Sequence, residues 1–258
     1  MKAITALFDH PLEISETSGV RNLHFGSEWI QGSMRIRRPF SLELAYTREM
    51  MACLLLRPEQ GWPRRALLIG LGAGSLAKFI YRHLPETRIT AVEIDARIAP
   101  LAQQYFRLPD DQQRLKVVIA DGADYVLQNS GRYDAIFVDG FGPDARAGQL
   151  DTAEFYAACR ARLSAQGLLV CNLLSHSRGF AASSRRIEKA FDHRTIVFPS
   201  LDSGNAIAFG ASGESVDVTL EEMRVQGMAL KLLTGLDLRP TITRLQLVQS
   251  LPGGRLLL

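Results

Sequence analysis

The most regular feature of the chain is an alternation of short apolar runs with amphipathic segments after residue 64. The apolar runs have the length of strands and read RALLIG, RITAVEID, LKVVIADG, YDAIFVDGF and GLLVCNLL. The segments between them have helical periodicity and read SLAKFIYRHL, ARIAPLAQQYF, DYVLQN, TAEFYAACRARL and GFAASSRRIEKAF. Near-continuous apolar strands separated by helices are typical of a parallel sheet covered on both faces. The pattern therefore predicts an α/β fold.

The pattern changes at both ends of this region. RTIVFPSL and NAIAFGA, separated by DSG, predict an antiparallel hairpin at the sheet edge, and TLEEMRVQGMALKLL predicts a last helix. Near the start, VRNLHF and SEWIQGSMRI predict a few strands with glycine turns. Residues 41–56 predict a helix with Ser41 as its N-cap, and RPEQGWP then breaks the pattern. We expect an N-terminal β region with a linking helix over residues 1–61 and a second domain over 62–258.

Composition narrows the class of protein. The chain has 258 residues, is 47% hydrophobic, and carries 30 basic and 27 acidic residues, which give a formal charge of +3. Such a small excess does not indicate a nucleic-acid partner. The longest apolar run, MMACLLL, is too short to cross a bilayer, and the start has no leader pattern, so we expect a cytoplasmic protein without a membrane partner. The three cysteines and the scattered histidines show no metal spacing; we expect buried thiols and no metal.

Chemistry is expected just after each strand, because the ligand crevice of an open parallel sheet lies outside the carboxyl ends of its strands. The residues at these positions after the first four strands are Gly70, Leu71, Gly72, Ala73 and Gly74, then Glu93 with Ile94, then Asp121 with Gly122, then Asp139. The glycines allow a tight turn and close approach of a ligand. Glu93 stands at the distance typical of a carboxylate that binds ribose hydroxyls, and Asp121 can accept from an exocyclic amine such as that of adenine. Together they predict an adenosine-containing ligand.

Two features favour an adenosyl sulfonium ligand over NAD. The sixth motif position, where a dinucleotide site usually has glycine, is Ser75. The sheet is also expected to end in a hairpin rather than in a second mononucleotide-binding half. S-adenosylmethionine or its decarboxylated form is therefore the expected co-substrate, and the reaction is transfer of an alkyl group to a nucleophile, which the protein promotes by positioning and electrostatics.

These residues resemble the spermidine synthases, the polyamine aminopropyltransferases, over about residues 12–210. The similarity rests on LEISE, WIQ, LLIGLGAGS, AVEID, IADGADYV, YDAIFVDGFGP and EFYAACRARLSAQGLLVCN. It implies that Gln31 contacts the nucleoside, Glu93 holds the ribose, Asp121 binds adenine and Asp139 deprotonates the attacking amine. It also implies a small-molecule amine acceptor, a homodimer, and a Rossmann-like class I methyltransferase fold, with a parallel sheet and antiparallel C-terminal hairpin, preceded by a small N-terminal β region.

The chain departs from this family on the amine side of the site. Ala73 stands where the family has an aspartate that contacts the aminopropyl ammonium, and Gly142 stands where the family has an acid before the proline. Asp144 is a candidate replacement, and Tyr46 is a candidate for the acceptor-side tyrosine. Since buried ammonium groups need paired carboxylates, the nucleoside half looks intact and the amine half altered.

Three functions stay open on the sequence. The first is aminopropyl transfer to an amine with Asp139 as the base. The second is methyl transfer from S-adenosylmethionine, and the third is a catalytically silent protein that retains the nucleoside pocket. His176, after a strand end, is interpreted as a loop histidine, and Tyr156 as a core residue on its helix.

Overall fold

The computed structural model describes residues 10–27, 29–142, 146–201, 204–248 and 251–258. Its first unit is a three-stranded antiparallel sheet of β1 (Leu12–Thr17), β2 (Val20–Phe25) and β3 (Ile30–Arg35), as the alternating N-terminal patterns predict. Ser18 and Gly19, with φ of 53° and 76°, form the two-residue turn between β1 and β2. Leu23 and Met34 point from this sheet into the main hydrophobic core, so the sheet packs against the rest of the protein.

The linking segment differs from the single helix expected over residues 41–56. It contains two short helices, α1 (Ala45–Met50) and α2 (Cys53–Leu56), and the first begins after Leu44, so Ser41 is not its N-cap. The guanidinium of Arg48 donates to the carbonyl oxygens of Leu42 and Glu43. These oxygens are therefore satisfied by a side chain rather than by backbone N–H groups, and the backbone ahead of Ala45 stays extended.

The central sheet has seven strands in the spatial order β6-β5-β4-β7-β8-β10-β9. The strands are β4 (Arg65–Ile69), β5 (Arg88–Glu93), β6 (Leu115–Ile119), β7 (Tyr133–Val138), β8 (Leu163–Leu174), β9 (Thr195–Pro199) and β10 (Asn205–Ala211). The first five are parallel, whereas β10 runs antiparallel to both β8 and β9. The predicted parallel sheet with a C-terminal hairpin at its edge is thus confirmed.

Helices cover both faces of this sheet. They are α3 (Ser75–His83), α4 (Ile98–Phe106), α5 (Gly122–Gln128), α6 (Ala153–Ala161) and α7 (Phe180–Ala190). Alternate side chains of β4 enter two separate cores: Leu68 packs in the core that contains Phe79, and Leu67 in the core that contains Phe155. Burial on both faces is the reason that these strands read as continuous apolar runs.

The beginning and the end of the C-terminal region pair with each other. The sequence predicts only the first helix of this region. The helix α8 (Leu220–Thr234) begins with a capping box of Thr219 and Glu222, and α9 (Arg239–Val248) follows. The last residues form β12 (Arg255–Leu257), which pairs antiparallel with β11 (Asp217–Thr219). Leu256 is fully buried, so the tail is packed. The proposed domain boundary after residue 61 crosses one continuous core, which includes residues of both parts.

Candidate functional site

A cavity of about 1160 Å³ opens at the carboxyl ends of the central strands. The strand order reverses at this place, because β5 and β6 lie on one side of β4 and β7 lies on the other. Such a topological switch point is where open α/β sheets bind their ligands. Most of the sequence-predicted site residues lie in its wall, namely Gln31, Tyr46, Gly70, Gly72, Glu93, Ile94, Asp121, Gly122 and Asp139. The volume suffices for a nucleoside and a second small molecule.

Gly70 and Gly72, in the turn after β4, are needed as glycines for different physical reasons. Gly70 has φ of 92°, and a Cβ there would lie 2.3 Å from the carbonyl oxygen of Asp139. Gly72 has φ of 50°, and a Cβ would lie 3.2 Å from the carbonyl oxygen of Gln31. Gly70 therefore allows the ends of β4 and β7 to meet, and Gly72 keeps the backbone bare next to Gln31 in the cavity wall.

Three residues predicted for cofactor binding lie outside the described wall of the large cavity. Gly74 begins α3 with φ of 69°, and a Cβ there would lie 2.7 Å from Leu108 Cδ1, so packing explains it. Leu71 and Ala73 line a separate pocket of about 30 Å³, behind Gln31 and Tyr46. Of these, Leu71 reaches the site through its backbone N–H. Asp144, which with Tyr46 is one of the two tentative substrate residues, lies outside the described residues.

Glu93 ends β5 with both carboxylate oxygens held by backbone. Oε2 accepts from Leu71 N–H at 2.9 Å, and Oε1 accepts from Asp95 N–H at 3.0 Å. Burial raises the pKa of Glu93, and the backbone N–H groups oppose that rise. The side chain is only 7% exposed yet lines the cavity. Each oxygen of a carboxylate has a second lone pair, so the group is oriented and still able to accept from a diol.

Asp121 has a structural role that the sequence did not reveal. Its Oδ1 accepts from the N–H groups of Ala123 at 2.8 Å and Asp124 at 3.1 Å, and it is thus the N-cap of α5. The residue lies in the cavity wall at the same time. The cap fixes the direction of the carboxylate; contact with adenine stays a prediction.

Asp139 is the centre of a hydrogen-bonded network of side chains from four elements. Its Oδ2 accepts from the Tyr46 hydroxyl at 3.1 Å, and its Oδ1 accepts from Asn172 Nδ2 at 2.8 Å. Asn172 Oδ1 in turn accepts from Asn205 Nδ2 at 2.8 Å. A carboxylate only accepts, so it directs the amide NH₂ of Asn172 toward itself, and the carbonyl oxygen then needs the donor that Asn205 supplies. The structure thereby brings Tyr46, the candidate acceptor-side tyrosine, into contact with Asp139, the predicted base.

The charge state of this network follows from burial. Burial raises the pKa of Asp139, and the hydrogen bonds from Asn172 and Tyr46 oppose that rise. Burial and the neighbouring carboxylate raise the pKa of Tyr46 well above its ordinary value, so its hydroxyl is a donor. The arrangement increases the affinity of a poorly solvated carboxylate for a proton, which suits a general base.

Sequence reasoning missed several residues of the cavity wall. Asn172 and Asn205 were not singled out, although a lone asparagine inside the apolar run GLLVCNLL is a usable signal. Arg146 was also missed, and His176, interpreted as a loop histidine, lies in the wall. Tyr156 is 1% exposed and donates to Asp151, and the three cysteines are buried and free, as predicted.

The described residues also bear on metal sites and on membrane-spanning helices. Within residues 10–27, 29–142, 146–201, 204–248 and 251–258, no His, Cys, Asp and Glu side chains form a group of three that would hold a metal ion. No described helix combines the length and apolar composition needed to cross a membrane.

Comparison with known proteins agrees with this geometry. A sheet of this strand order, with acidic residues at successive strand ends, defines a Rossmann-like nucleoside-binding protein of the class I methyltransferase fold. The sequence profile of the spermine/spermidine synthase domain matches residues 43–201. The polyamine aminopropyltransferase of Chromobacterium violaceum is 36% identical over 248 residues, which are 96% of this chain and 94% of that protein. The chain belongs to the spermine/spermidine synthase family.

Solved structures show the same fold. A probable spermidine synthase from Corynebacterium glutamicum superposes with a TM-score of 0.70 at 23% identity, covering 85% of this chain and 83% of that one. Human methyltransferase-like protein 13 in complex with SAH superposes with a TM-score of 0.65 at 25% identity, covering 75% of this chain and 93% of that one. The predicted fold class is confirmed, and the probable spermidine synthase and the methyltransferase-like protein share this fold.

Proposed function

We propose that the chain is an aminopropyltransferase that uses decarboxylated S-adenosylmethionine and a small amine acceptor. The observation that carries the proposal is the position of the Asp139 network directly beside the glycine turn that begins at Gly70. We call this turn the nucleoside cradle. Gly70, the first residue of that cradle, approaches the backbone of Asp139 so closely that only glycine fits. Membership of the spermine/spermidine synthase family supports the same reaction.

The donor is assigned to the half of the cavity formed by β4, β5 and β6. Glu93 accepts from the ribose hydroxyls, Asp121 from the adenine amine, and Gln31 contacts the nucleoside from the N-terminal sheet. The bare backbone at Gly70 and Gly72 gives the nucleoside room to approach the end of β4. In this arrangement we assign the sulfonium to the β7 side of the cavity, where Asp139 lies.

In the reaction, the acceptor amine attacks the methylene carbon that joins the aminopropyl chain to sulfur. The new C–N bond forms as the C–S bond breaks, and the electron pair of that bond stays on sulfur, so that neutral methylthioadenosine leaves. Asp139 Oδ2 or Oδ1 takes the proton that the amine loses. The hydroxyl of Tyr46 and the amide of Asn172 hold the carboxylate so that its position is set before the acceptor enters.

Methyl transfer is the second candidate, favoured by one observation. Ala73 is 2% exposed and packs against Gly32, so this position offers no carboxylate to the ammonium of a decarboxylated donor. The two reactions leave different products: aminopropyl transfer releases methylthioadenosine, and methyl transfer releases S-adenosylhomocysteine.

The test is a product analysis with both donors and a panel of amines. Aminopropyl transfer predicts methylthioadenosine from wild type and a loss of about 10²-fold or more in turnover for Asp139→Asn, with methylthioadenosine affinity retained. Asp110→Asn, which changes an exposed aspartate outside the cavity wall, is the matched control. Release of S-adenosylhomocysteine alone would replace the proposal by methyl transfer. Donor binding without any product would favour a silent protein.

A further inference from the structure

A large apolar side chain is left open in the wall of the cavity. Trp29 immediately precedes β3, is 64% exposed, and lines the cavity together with Gln31. An exposed indole keeps much of its apolar surface in water, and covering that surface releases free energy. An exposed aromatic ring in the wall of a ligand cavity therefore indicates a surface that a ligand covers.

Two contacts fix the direction in which β3 runs past the glycine turn. Ser75 Oγ donates to the Ser33 carbonyl oxygen at 3.2 Å, and a Cβ on Gly72 would lie 3.2 Å from the Gln31 carbonyl oxygen. From Ser33 back to Gln31, the strand therefore passes from the start of α3 toward the beginning of the turn. Trp29, two residues before Gln31, continues this path beyond the turn.

The end of β2 is anchored beside the segment that follows β5. The Arg97 guanidinium donates to the His10 carbonyl oxygen at 3.1 Å and pairs with Asp95 at 2.7 Å. The His10 ring packs against Phe25, the last residue of β2, with ring centroids 5.3 Å apart. Three residues separate Phe25 from Trp29, so the connection that carries Trp29 begins at this anchor.

The carboxyl end of β5 lies between the two anchors. Glu93 accepts from Leu71 N–H in the glycine turn at 2.9 Å, and Asp95 lies two residues further along the chain. Trp29 is carried across this interval on the side of the N-terminal sheet. On the side of the central sheet, Ile94 is 37% exposed and lines the same cavity. Two apolar side chains from different sheets therefore flank the space next to the Glu93 carboxylate.

We propose, as an inference that rests on the proposed function, that Trp29 covers the adenosine moiety of the donor on the side opposite Ile94. Glu93 and Asp121 are assigned to the polar edges of the nucleoside, and neither of these carboxylates contacts its flat faces. An indole presents a large and rigid apolar face at a low cost in conformational entropy, and its stacking does not depend on the polar edge of a base. Trp29 thereby binds the part of the ligand that decarboxylated S-adenosylmethionine and S-adenosylmethionine have in common.

Calorimetry with methylthioadenosine and with S-adenosylhomocysteine measures the contribution of the indole. Trp29→Ala is expected to weaken the binding of both nucleosides by about tenfold or more, because the stacked ring is lost. Trp29→Phe keeps an aromatic ring and is expected to stay within about threefold of wild type. Ile36→Ala is the matched control, since Ile36 directly follows β3, is 40% exposed and lies outside the described wall of the cavity.

Fluorescence shows whether the indole itself is covered. The chain has two tryptophans, and the second, Trp62, is 8% exposed and donates from Nε1 to the Gln166 carbonyl oxygen at 3.2 Å. Saturating methylthioadenosine is expected to reduce the quenching of wild type by acrylamide and to shift its emission to shorter wavelength. In Trp29→Phe, where Trp62 alone emits, neither change is expected.

The inference is overturned if Trp29→Ala binds both nucleosides within about twofold of wild type. It is also overturned if affinity falls while acrylamide reaches the indole equally well in the free and the bound protein, since Trp29 would then act through the fold of the N-terminal sheet. Absence of nucleoside binding to wild type overturns this inference and the donor assignment together. The proposed function fails separately, when the nucleosides bind but no acceptor yields methylthioadenosine; affinity and quenching then still decide the role of Trp29.

Discussion

Asn172 and Asp139 occupy adjacent places at the ends of two parallel strands, and the amide of Asn172 donates to the Asp139 carboxylate at 2.8 Å. The register sets this contact, because Val138 of β7 pairs with Cys171 of β8 and the next residue on each strand is one of this pair. Asn205 lies on β10, on the far side of β8, and pairs in the strand with Leu174. Three neighbouring strands thus bring Asp139, Asn172 and Asn205 into one chain of side-chain hydrogen bonds.

Removal of the Asn172 amide is expected to change the pH dependence of catalysis. Burial already raises the pKa of Asp139, and the hydrogen bond from Asn172 opposes that rise. Without this donor the pKa rises further, so in Asn172→Leu the acidic limb of the kcat/KM profile moves to higher pH by about one unit, the order expected for a hydrogen bond to a charged group. The measurement is the pH profile of methylthioadenosine release.

Two further variants make that experiment specific. Asn205→Ala removes the donor to Asn172 Oδ1 and is expected to move the same limb in the same direction by less. Asn129→Ala removes a side chain that accepts from Gly131 N–H, away from the cavity, and should leave the limb in place. A profile that keeps its shape while Asn172→Leu merely lowers the rate at every pH would contradict the role assigned to the amide.

Gly70→Ala is expected to weaken nucleoside binding strongly. A methyl group at this position would lie 2.3 Å from the carbonyl oxygen of Asp139, where no Cβ fits, and φ is 92°. The ends of β4 and β7 must then separate, which displaces both the cradle and the base. Gly235→Ala is the matched control, because φ there is 79° and nothing lies within 4 Å of its Cβ.

The two alanine variants separate backbone strain from the clash. Gly235→Ala should cost about 1 kcal/mol of unfolding free energy and leave methylthioadenosine affinity unchanged. Gly70→Ala should cost more and lose at least about tenfold in affinity by calorimetry. Normal affinity in Gly70→Ala would remove this glycine from the ligand cradle.

Arg244→Met is expected to destabilise the protein and to slow turnover together. Glu49 on α1 is 2% exposed, forms an ion pair with Arg244 of α9, and accepts from Leu201 N–H at 3.0 Å. Removing the arginine leaves a buried carboxylate without its counter-ion, which costs about 3 kcal/mol or more. Tyr46 lies one turn before Glu49 on the same helix, so its contact with Asp139 is disturbed as well.

The double variant Glu49→Gln with Arg244→Met tests this explanation. The amide removes the uncompensated charge while its oxygen still accepts from Leu201 N–H, so much of the lost stability and rate should return. Chemical denaturation and kcat are the two readouts. Full stability of the single variant Arg244→Met would show that the ion pair does not hold α1.

Lys78 makes stability depend on pH in a predictable direction. It is 1% exposed, its Nζ donates to the Phe106 carbonyl at 2.8 Å, and burial lowers its pKa from 10.5 to about 7. Between these values the unfolded chain binds the proton and the folded chain does not. The free energy of unfolding therefore rises with pH through this window, by up to about 1.4 kcal/mol per unit.

Lys78→Met removes the titrating group and therefore removes its contribution to the pH dependence of the free energy of unfolding. Chemical denaturation of wild type and variant from pH 6 to pH 10 is the measurement. Toward low pH, where the buried lysine must be charged, the free energy of unfolding of the variant should increase relative to that of wild type. A constant difference between the two proteins across that range would show that Lys78 keeps its proton in the folded state.

The strands of the central sheet were predictable because burial on both faces leaves almost no polar residue inside them. The linking helix was not, because the Arg48 guanidinium satisfies the carbonyls of Leu42 and Glu43 and the helix begins only at Ala45. Local periodicity carries no signal for such a contact. The packed tail was invisible for the same reason, since β12 exists only by pairing with β11 across the C-terminal helices.

The sequence by itself determined the order of strands and helices, the expectation of a nucleoside ligand, and the carboxylates at successive strand ends. These follow from local periodicity and from the rule that parallel strands end at one edge. Only the tertiary structure decided which side chains meet Asp139. Tyr46, Asn172 and Asn205 come from three distant parts of the chain. Strand register and helix packing bring Tyr46 and Asn172 within hydrogen-bond distance of the Asp139 carboxylate, and Asn205 within hydrogen-bond distance of Asn172.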